Sequence, residues 1–293
     1  ITYDKGASVL NQLSHYIGRE DFRLGVSSYL KQHSWGNTEL SDFMDSLSTQ
    51  SGIDLNSWAQ DWMYQAGVNQ LEAKFSCEAG LITTFSILQT SSESHPTLRN
   101  QRVQLGLFSR DDNGVIAAFA VLPIEVAGAE TAVEGAQGLA CPQLALPNYE
   151  GWGYAEVKLD DVSMNTIIND SALLSISDPL MRSMVWTALF DALGNAQMDK
   201  NQLLAFLVTN MPFETNDRII RQTLSELVSN LNHLERLGDS FTFQLTTYSN
   251  AAEEQLWDLI SRGVIAGADS QSESTLNLRL RYYRGIARSD TAL

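Results

Sequence analysis

Apolar residues recur at helical spacing through the first 67 positions. Val9, Leu10, Leu13 and Ile17 share one face, and Gly18 follows as a stop. Phe22, Val26, Tyr29 and Leu30 repeat the pattern. Beyond Trp35-Gly36-Asn37, where Asn37 suits an N-cap, Leu40, Phe43, Met44 and Leu47 fall at i, i+3, i+4 and i+7. Asp54 is placed to cap a fourth helix carrying Leu55, Trp58, Ala59, Trp62 and Met63. Ile53 and Trp58 would staple its start, and Gly67 would end the block.

The period then changes to two. Leu71, Ala73 and Phe75 alternate with polar residues, Ile82 to Leu88 is rich in strand formers, and Val103, Leu105 and Leu107 alternate again. Asp112-Asn113-Gly114 is a hairpin signal leading into Val115–Val126. Several short strands with turn signals predict a small β-sandwich. Residues 127–140 read as loop with a weak strand, and Pro142 and Pro147 mark the exit.

From about residue 160 the helical period returns. Asp178-Pro179 is an N-cap followed by proline at the first helical position. Met181, Val185, Trp186, Leu189 and Leu193 give that helix a buried face ending at Gly194. Asp199 opens another with Leu203, Leu204, Phe206 and Leu207. A longer helix carries Ile219, Ile220, Leu224, Leu227, Val228, Leu231 and Leu234. Two more are predicted near 250–262 and 273–288. Consecutive helices with short connections predict an antiparallel, solenoid-like array, although no clean sequence repeat is visible.

Composition narrows the function. The 293 residues suffice for two or three domains at ~100–200 residues each. The 44% apolar and 18% charged content is that of a globular chain. Nineteen Lys and Arg stand against 35 Asp and Glu, a net charge of −16. That excess argues against nucleic-acid backbone binding and against docking on an anionic membrane. No apolar run reaches the ~18 residues needed to span a bilayer. Cys77 and Cys141 are compatible with one disulfide or with two reduced thiols, so the compartment stays open between cytoplasm and periplasm or secretion. Ile1 rather than Met opens the chain, and Thr291-Ala292-Leu293 closes it. Both ends predict a portion of something longer.

Candidate chemistry is sparse. There is no HExxH, GxSxG, Walker loop or GxGxxG. His15, His33, His95 and His233 are far apart and lack a partner at metal-ligand spacing, which predicts surface or capping histidines. Asp111-Asp112 and Glu253-Glu254 read as solvated carboxylates. Arg281, Arg284 and Arg288 fall at i, i+3 and i+7, either as a solvated face or as an anchor for a carboxylate. Taken alone, these residues describe a helical–β–helical protein with no complete active site.

The opening segment adds to this. Ile1-Thr2-Tyr3-Asp4-Lys5-Gly6-Ala7 resembles a Tyr-x-Lys-Gly-Ala segment of zinc aminopeptidases of the aminopeptidase N type. Gly18-Arg19-Glu20-Asp21-Phe22, Gly36-Asn37, Asp42-Phe43, Ser51-Gly52-Ile53-Asp54-Leu55, Trp58-Ala59-Gln60-Asp61-Trp62 and Ala66-Gly67-Val68-Asn69 follow in the order of that family. Leu146-Pro147-Asn148, Tyr154-Ala155 and Leu159-Asp160 resemble its junction into a C-terminal helical domain. The likeness is firm over 1–69 and 146–195 and looser elsewhere.

The resemblance implies a multidomain α+β chain. Residues 1–68 would be the helical end of a thermolysin-like catalytic domain, 69–147 a β-sandwich, and 148–293 an α-helical C-terminal domain that is itself truncated. It also implies that the zinc-binding HExxH and its downstream Glu lie upstream of Ile1. Zinc would belong to the parent enzyme and none would be bound here. One catalytic residue carries over. Tyr3 matches the tyrosine whose phenol stabilises the transition-state oxyanion in that family. Lys5 reads as a surface or capping cation and Gly6 as a close-packing residue. The implied function is the C-terminal portion of a zinc aminopeptidase acting on peptides, inactive alone, with its helical domain shaping the substrate chamber. The alternative is a non-enzymatic interaction module. A leukotriene-hydrolase-like relative is disfavoured, because such proteins lack a sandwich between the two domains.

Overall fold

The computed structural model describes residues 2–168, 172–235 and 273–286. The chain divides into two compact units, Ile1–Thr166 and Ile167–Leu293.

The first unit begins with α1 (Thr2–Ile17), α2 (Arg19–Gln32), α3 (Leu40–Ser51) and α4 (Asn56–Met63). Val9, Leu13, Ile17, Met44, Leu47, Leu55, Trp58 and Trp62 form their common core. One polar residue lies within that apolar face. Gln12 is fully buried because its Oε1 accepts a 2.9 Å hydrogen bond from Trp58 Nε1. The α2 stripe is shallower than its pattern predicts, with Leu30 62% exposed. The buried position in α2 is Gly25. A Cβ there would lie 2.7 Å from Leu47 Cδ2 and 3.2 Å from Leu47 Cα, so the missing side chain lets α2 and α3 approach.

Two cap positions differ from the sequence expectation. Helix α3 is preceded by Glu39, not Asn37, because Asp42 Oδ2 accepts from Glu39 N at 2.9 Å and closes a capping box. Helix α4 is preceded by Leu55, and Asp54 Oδ1 accepts from Asn56 N at 3.0 Å.

The strands are β1 (Asn69–Glu78), β2 (Leu81–Ser91), β3 (Gln101–Arg110), β4 (Ile116–Val126), β5 (Glu130–Ala132), β6 (Leu144–Tyr149) and β7 (Ala155–Lys158). They form a sheet ordered β5-β2-β1-β7 and a sheet ordered β4-β3-β6. Pairing is antiparallel except for β1 with β7, which is parallel. Leu71 and Ala73 of β1, Phe85 and Ile87 of β2, and Val103, Leu105 and Leu107 of β3 share one buried cluster. The two sheets therefore face each other across a common core. The β3–β4 turn is held by Asp111 Oδ1, which accepts from Asn113 N and Val115 N.

Cys77 and Cys141 form a disulfide across 64 residues, resolving a choice the sequence left open. Leu146-Pro147-Asn148 is not a connector but part of β6. Proline is tolerated there because β6 is the edge of its sheet. Strands continue to Lys158. Helix α5 (Asp161–Ile168) then starts on Asp160, whose Oδ1 accepts from Val162 N and Ser163 N. Ser163 Oγ donates to Asp160 Oδ2 and accepts from Ala145 N at 2.9 Å, tying the helix start to β6.

The second unit holds α6 (Pro179–Gly194), α7 (Lys200–Asn210), α8 (Asp217–Glu235) and the helix Glu273–Ile286. Asp178 caps α6 by accepting from Leu180 N. Met181, Val185, Trp186, Leu189, Leu203, Phe206, Leu207, Ile219, Ile220 and Leu224 are buried. Glu214 is 1% exposed in its side chain and accepts from Arg182 through both oxygens, each at 2.9 Å. The helix predicted near 250–262 lies outside the described residues. So do the side chains of Leu227, Val228, Leu231 and Leu234.

Candidate functional site

Position 3 is in the first turn of α1, and the side chain of Tyr3 lies outside the described residues. Two and three residues further along the same helix come Lys5 and Gly6. They open onto a groove of about 460 Å³ lined also by Val9, Leu10, Phe43 and Trp62. A Cβ at Gly6 would meet nothing within 4 Å. Close packing within the described structure is therefore not what glycine serves there, and Lys5 is half-buried at the mouth of the groove. The groove is walled by α1, α3 and α4. Its lining is apolar apart from Lys5, so it can receive apolar surface but presents no acid–base pair.

The histidines separate. His33 follows α2 as its C-cap, and His95 rests against Gly67 with its Nδ1 3.0 Å from Ser94 Oγ. The side chain of His233 lies outside the described residues. His15 departs from the expectation of a surface or capping role. It is buried and stacks on Trp152, with centroids 4.2 Å apart and planes at 13°. Burial lowers its pKa from the ordinary value, with Arg19 acting in the same direction. Among the described residues, no group of three or more His, Cys, Asp or Glu is placed to hold a metal ion. These residues do not supply a zinc donor set.

Of the arginine stripe near the end of the chain, only Arg281 has a described side chain. Arg281 is exposed, and the side chains of Arg284 and Arg288 lie outside the described residues. The cation that matters on that helix is Arg279, 1% exposed, whose Nη2 donates to Glu214 O at 2.6 Å. Desolvation lowers its pKa to about 10, with Glu214 and Asp217 opposing the shift. Its place between Leu278 and Leu280 was the available sequence signal. Asp111 serves the β3–β4 turn, and Glu253-Glu254 falls outside the described residues. No described helix is long and apolar enough to cross a membrane.

Comparison with known proteins adds the family context. Residues 1–62 match the peptidase family M1 domain. The chain is 34% identical over 228 residues to aminopeptidase N of Streptomyces lividans, covering 75% of this chain and 26% of that protein. It is 46% identical over 67 residues to tricorn protease-interacting factor F2 of Thermoplasma volcanium, covering 23% of this chain and 9% of that one. Among solved structures, aminopeptidase A of Legionella pneumophila, in complex with aspartic acid, superposes with a TM-score of 0.56 at 18% identity. That match covers 96% of this chain and 35% of the other. The chain thus spans about a quarter of the length of the Streptomyces relative.

Proposed function

Because the chain is of the M1 aminopeptidase type, we propose that it forms the C-terminal portion of a zinc aminopeptidase that removes N-terminal residues from peptides. The observation that carries this reading is the 34% identity to the Streptomyces aminopeptidase N over three quarters of the chain. A pure interaction module with no hydrolase history does not account for that identity.

In this reading residues 1–68 are the helical end of the catalytic domain, the strands from Asn69 to Lys158 the sandwich, and the helices that follow the domain that shapes the substrate chamber. Zinc polarises the scissile carbonyl and activates water in such enzymes. Its ligands would precede Ile1 in the whole protein. Tyr3 would donate its phenolic hydrogen to the oxyanion that develops as the peptide bond is attacked. Such a donor strengthens as charge builds and costs little reorganisation. The groove beside Lys5 and Gly6 supports the same reading, because it presents apolar surface one helical turn from Tyr3 for the rest of the catalytic domain to cover. The Cys77–Cys141 disulfide supports work in an oxidising compartment.

The test is hydrolysis of a fluorogenic alanyl or leucyl amide by this chain and by the whole protein, each with and without zinc. Turnover by the whole protein that a chelator abolishes, and none by this chain, is the expected result. Zinc-dependent turnover by this chain alone would overturn the assignment of the metal site upstream. An inactive zinc-loaded whole protein would overturn the peptidase reading.

A further inference from the structure

A second cleft lies within the first unit, at the far end of α1 from Tyr3. It has a volume of about 450 Å³ and is lined by His15, Gly18, Arg19, Arg102, Glu150 and Trp152. Three elements converge on it: the α1–α2 corner, strand β3 and the loop after β6.

Its chemistry is unusual for a chain with a net charge of −16. Two arginines face one carboxylate. Arg102 Nε is buried and has no hydrogen-bond partner. Neither arginine is held in an ion pair among the described residues. Protein atoms close off that nitrogen, so an oxyanion in the cleft would engage the Arg102 guanidinium through its terminal nitrogens. Arg19 Nη2 is 3.4 Å from His15 Nε2, a geometry in which the arginine donates to a neutral imidazole. The ring occupies one N–H of Arg19 and leaves the others of its five for an incoming anion.

The N-terminus of α2 beside the cleft is already compensated, because Glu20 and Asp21 sit in its first turn and Asp21 Oδ2 lies 3.8 Å from where a Cβ at Gly18 would be, so the arginines and not the helix end carry the positive charge. The acid in the lining, Glu150, is already hydrogen-bonded. Its Oε2 accepts from Gln104 Nε2 at 3.0 Å and lies 3.3 Å from Trp152 Nε1. The loop that carries it is fixed. Asn148 Oδ1 accepts from Gly153 N at 2.7 Å, Asn148 Nδ2 donates to Gly153 O at 3.0 Å, and Asn11 Nδ2 donates to Gly151 O at 3.1 Å. Asn148 and Glu150 both hold positive φ, at 96° and 63°. Non-glycine residues adopt that conformation only where the surroundings impose it. Trp152, stacked on His15, forms a rigid aromatic wall.

We propose that this cleft is a binding site for a small oxyanion, a carboxylate or phosphate group, gripped by Arg19 and Arg102 against Trp152. The forked guanidinium suits two-oxygen recognition of either group. The site is independent of the peptidase reading, since none of its residues belongs to that chemistry.

The test is calorimetric titration of the full chain with inorganic phosphate, and separately with acetate, at constant ionic strength. A third arm compares a short N-acetylated peptide acid with its C-terminal amide. Saturable one-site binding is expected, weakened roughly tenfold or more by Arg102→Gln and by Arg19→Gln, and less by Arg102→Lys. Preference for the peptide acid over its amide identifies a carboxylate source, and binding of phosphate alone identifies a phosphate source. The exposed Arg19 carries the test if Arg102→Gln does not fold. No saturable binding in any arm, or unchanged affinity in folded arginine variants, overturns the proposal.

Discussion

The guanidinium carbon of Arg99 sits 5.4 Å from the centroid of the Trp62 ring, joining the helical block to the start of the sandwich. Arg99 is 2% exposed, and its donors reach main-chain oxygens. Nε donates to Asp61 O at 2.8 Å, and Nη2 donates to Gln65 O and Ala66 O at 3.1 and 2.8 Å. These are carbonyls in and just beyond the last turn of α4, which a helix leaves unpaired. Arg99→Met should destabilise the first unit by about 3 kcal/mol, because several carbonyls lose a charged donor at once. Chemical denaturation followed by tryptophan fluorescence reads this. An unchanged midpoint would show that water replaces the guanidinium without cost.

The disulfide closes a separation of 64 residues. Chain-entropy arguments assign such a loop about 4 kcal/mol, gained mainly by restricting the unfolded chain. Cys77→Ser with Cys141→Ser should lower the denaturation midpoint by a corresponding amount. Adding reductant should do the same to the parent chain and nothing to the double variant.

His15 makes stability depend on pH. Burial first, and then Arg19 and Arg102, depress its folded-state pKa below the ordinary 6.5, while Glu150 pulls the other way. A depressed pKa means that the folded state favours the neutral ring. The contribution is complete above pH 6.5 and is lost as pH falls through the lower folded value. Urea midpoints measured between pH 8 and pH 5 should fall more steeply for the parent chain than for His15→Gln. Parallel profiles would remove His15 from the linkage.

Gly25 and Gly6 should respond oppositely to alanine. Gly25→Ala puts a methyl 2.7 Å from Leu47 Cδ2 and should cost about 1–3 kcal/mol through overpacking. Gly6→Ala meets nothing within 4 Å and should stabilise α1 by up to about 1 kcal/mol in this chain. Thermal melts of the two variants check both signs.

Tyr3→Phe, made in the whole protein, removes one hydroxyl. Turnover should fall by about 100-fold or more, with stability changed by less than about 0.5 kcal/mol. Retained turnover would take Tyr3 out of the mechanism.

Periodicity made the helical block legible. Val9, Leu13 and Ile17 recur at the spacing that buries one face, and all three are in the core. Asp178-Pro179 announced α6, and Asp112-Asn113-Gly114 announced the β3–β4 turn, because caps and turns are chosen by local hydrogen bonds, although the residue that holds the turn, Asp111, reads in sequence as a solvated acid. Less local features went unread. Pro147 looked like an exit signal, yet an edge position makes it compatible with a strand. Asn37 looked like a cap, but the reciprocal Glu39–Asp42 pair starts the helix two residues later.

Covalent order along the chain carries the information that short-range geometry needs: spacing, caps, turns and a motif such as Tyr3-Asp4-Lys5-Gly6-Ala7. It does not carry distances between residues far apart in sequence. The bond from Trp58 to Gln12, the bridge from Cys77 to Cys141 and the stacking of His15 on Trp152 link positions 46, 64 and 137 residues apart. Each arises because packing apolar faces brings together groups whose own preferences are weak, and burial then makes their pairing obligatory. The cleft at Arg19 and Arg102 is of that kind. Its cations are ordinary in the sequence and become a site only where a helix corner, a strand and a strained loop meet.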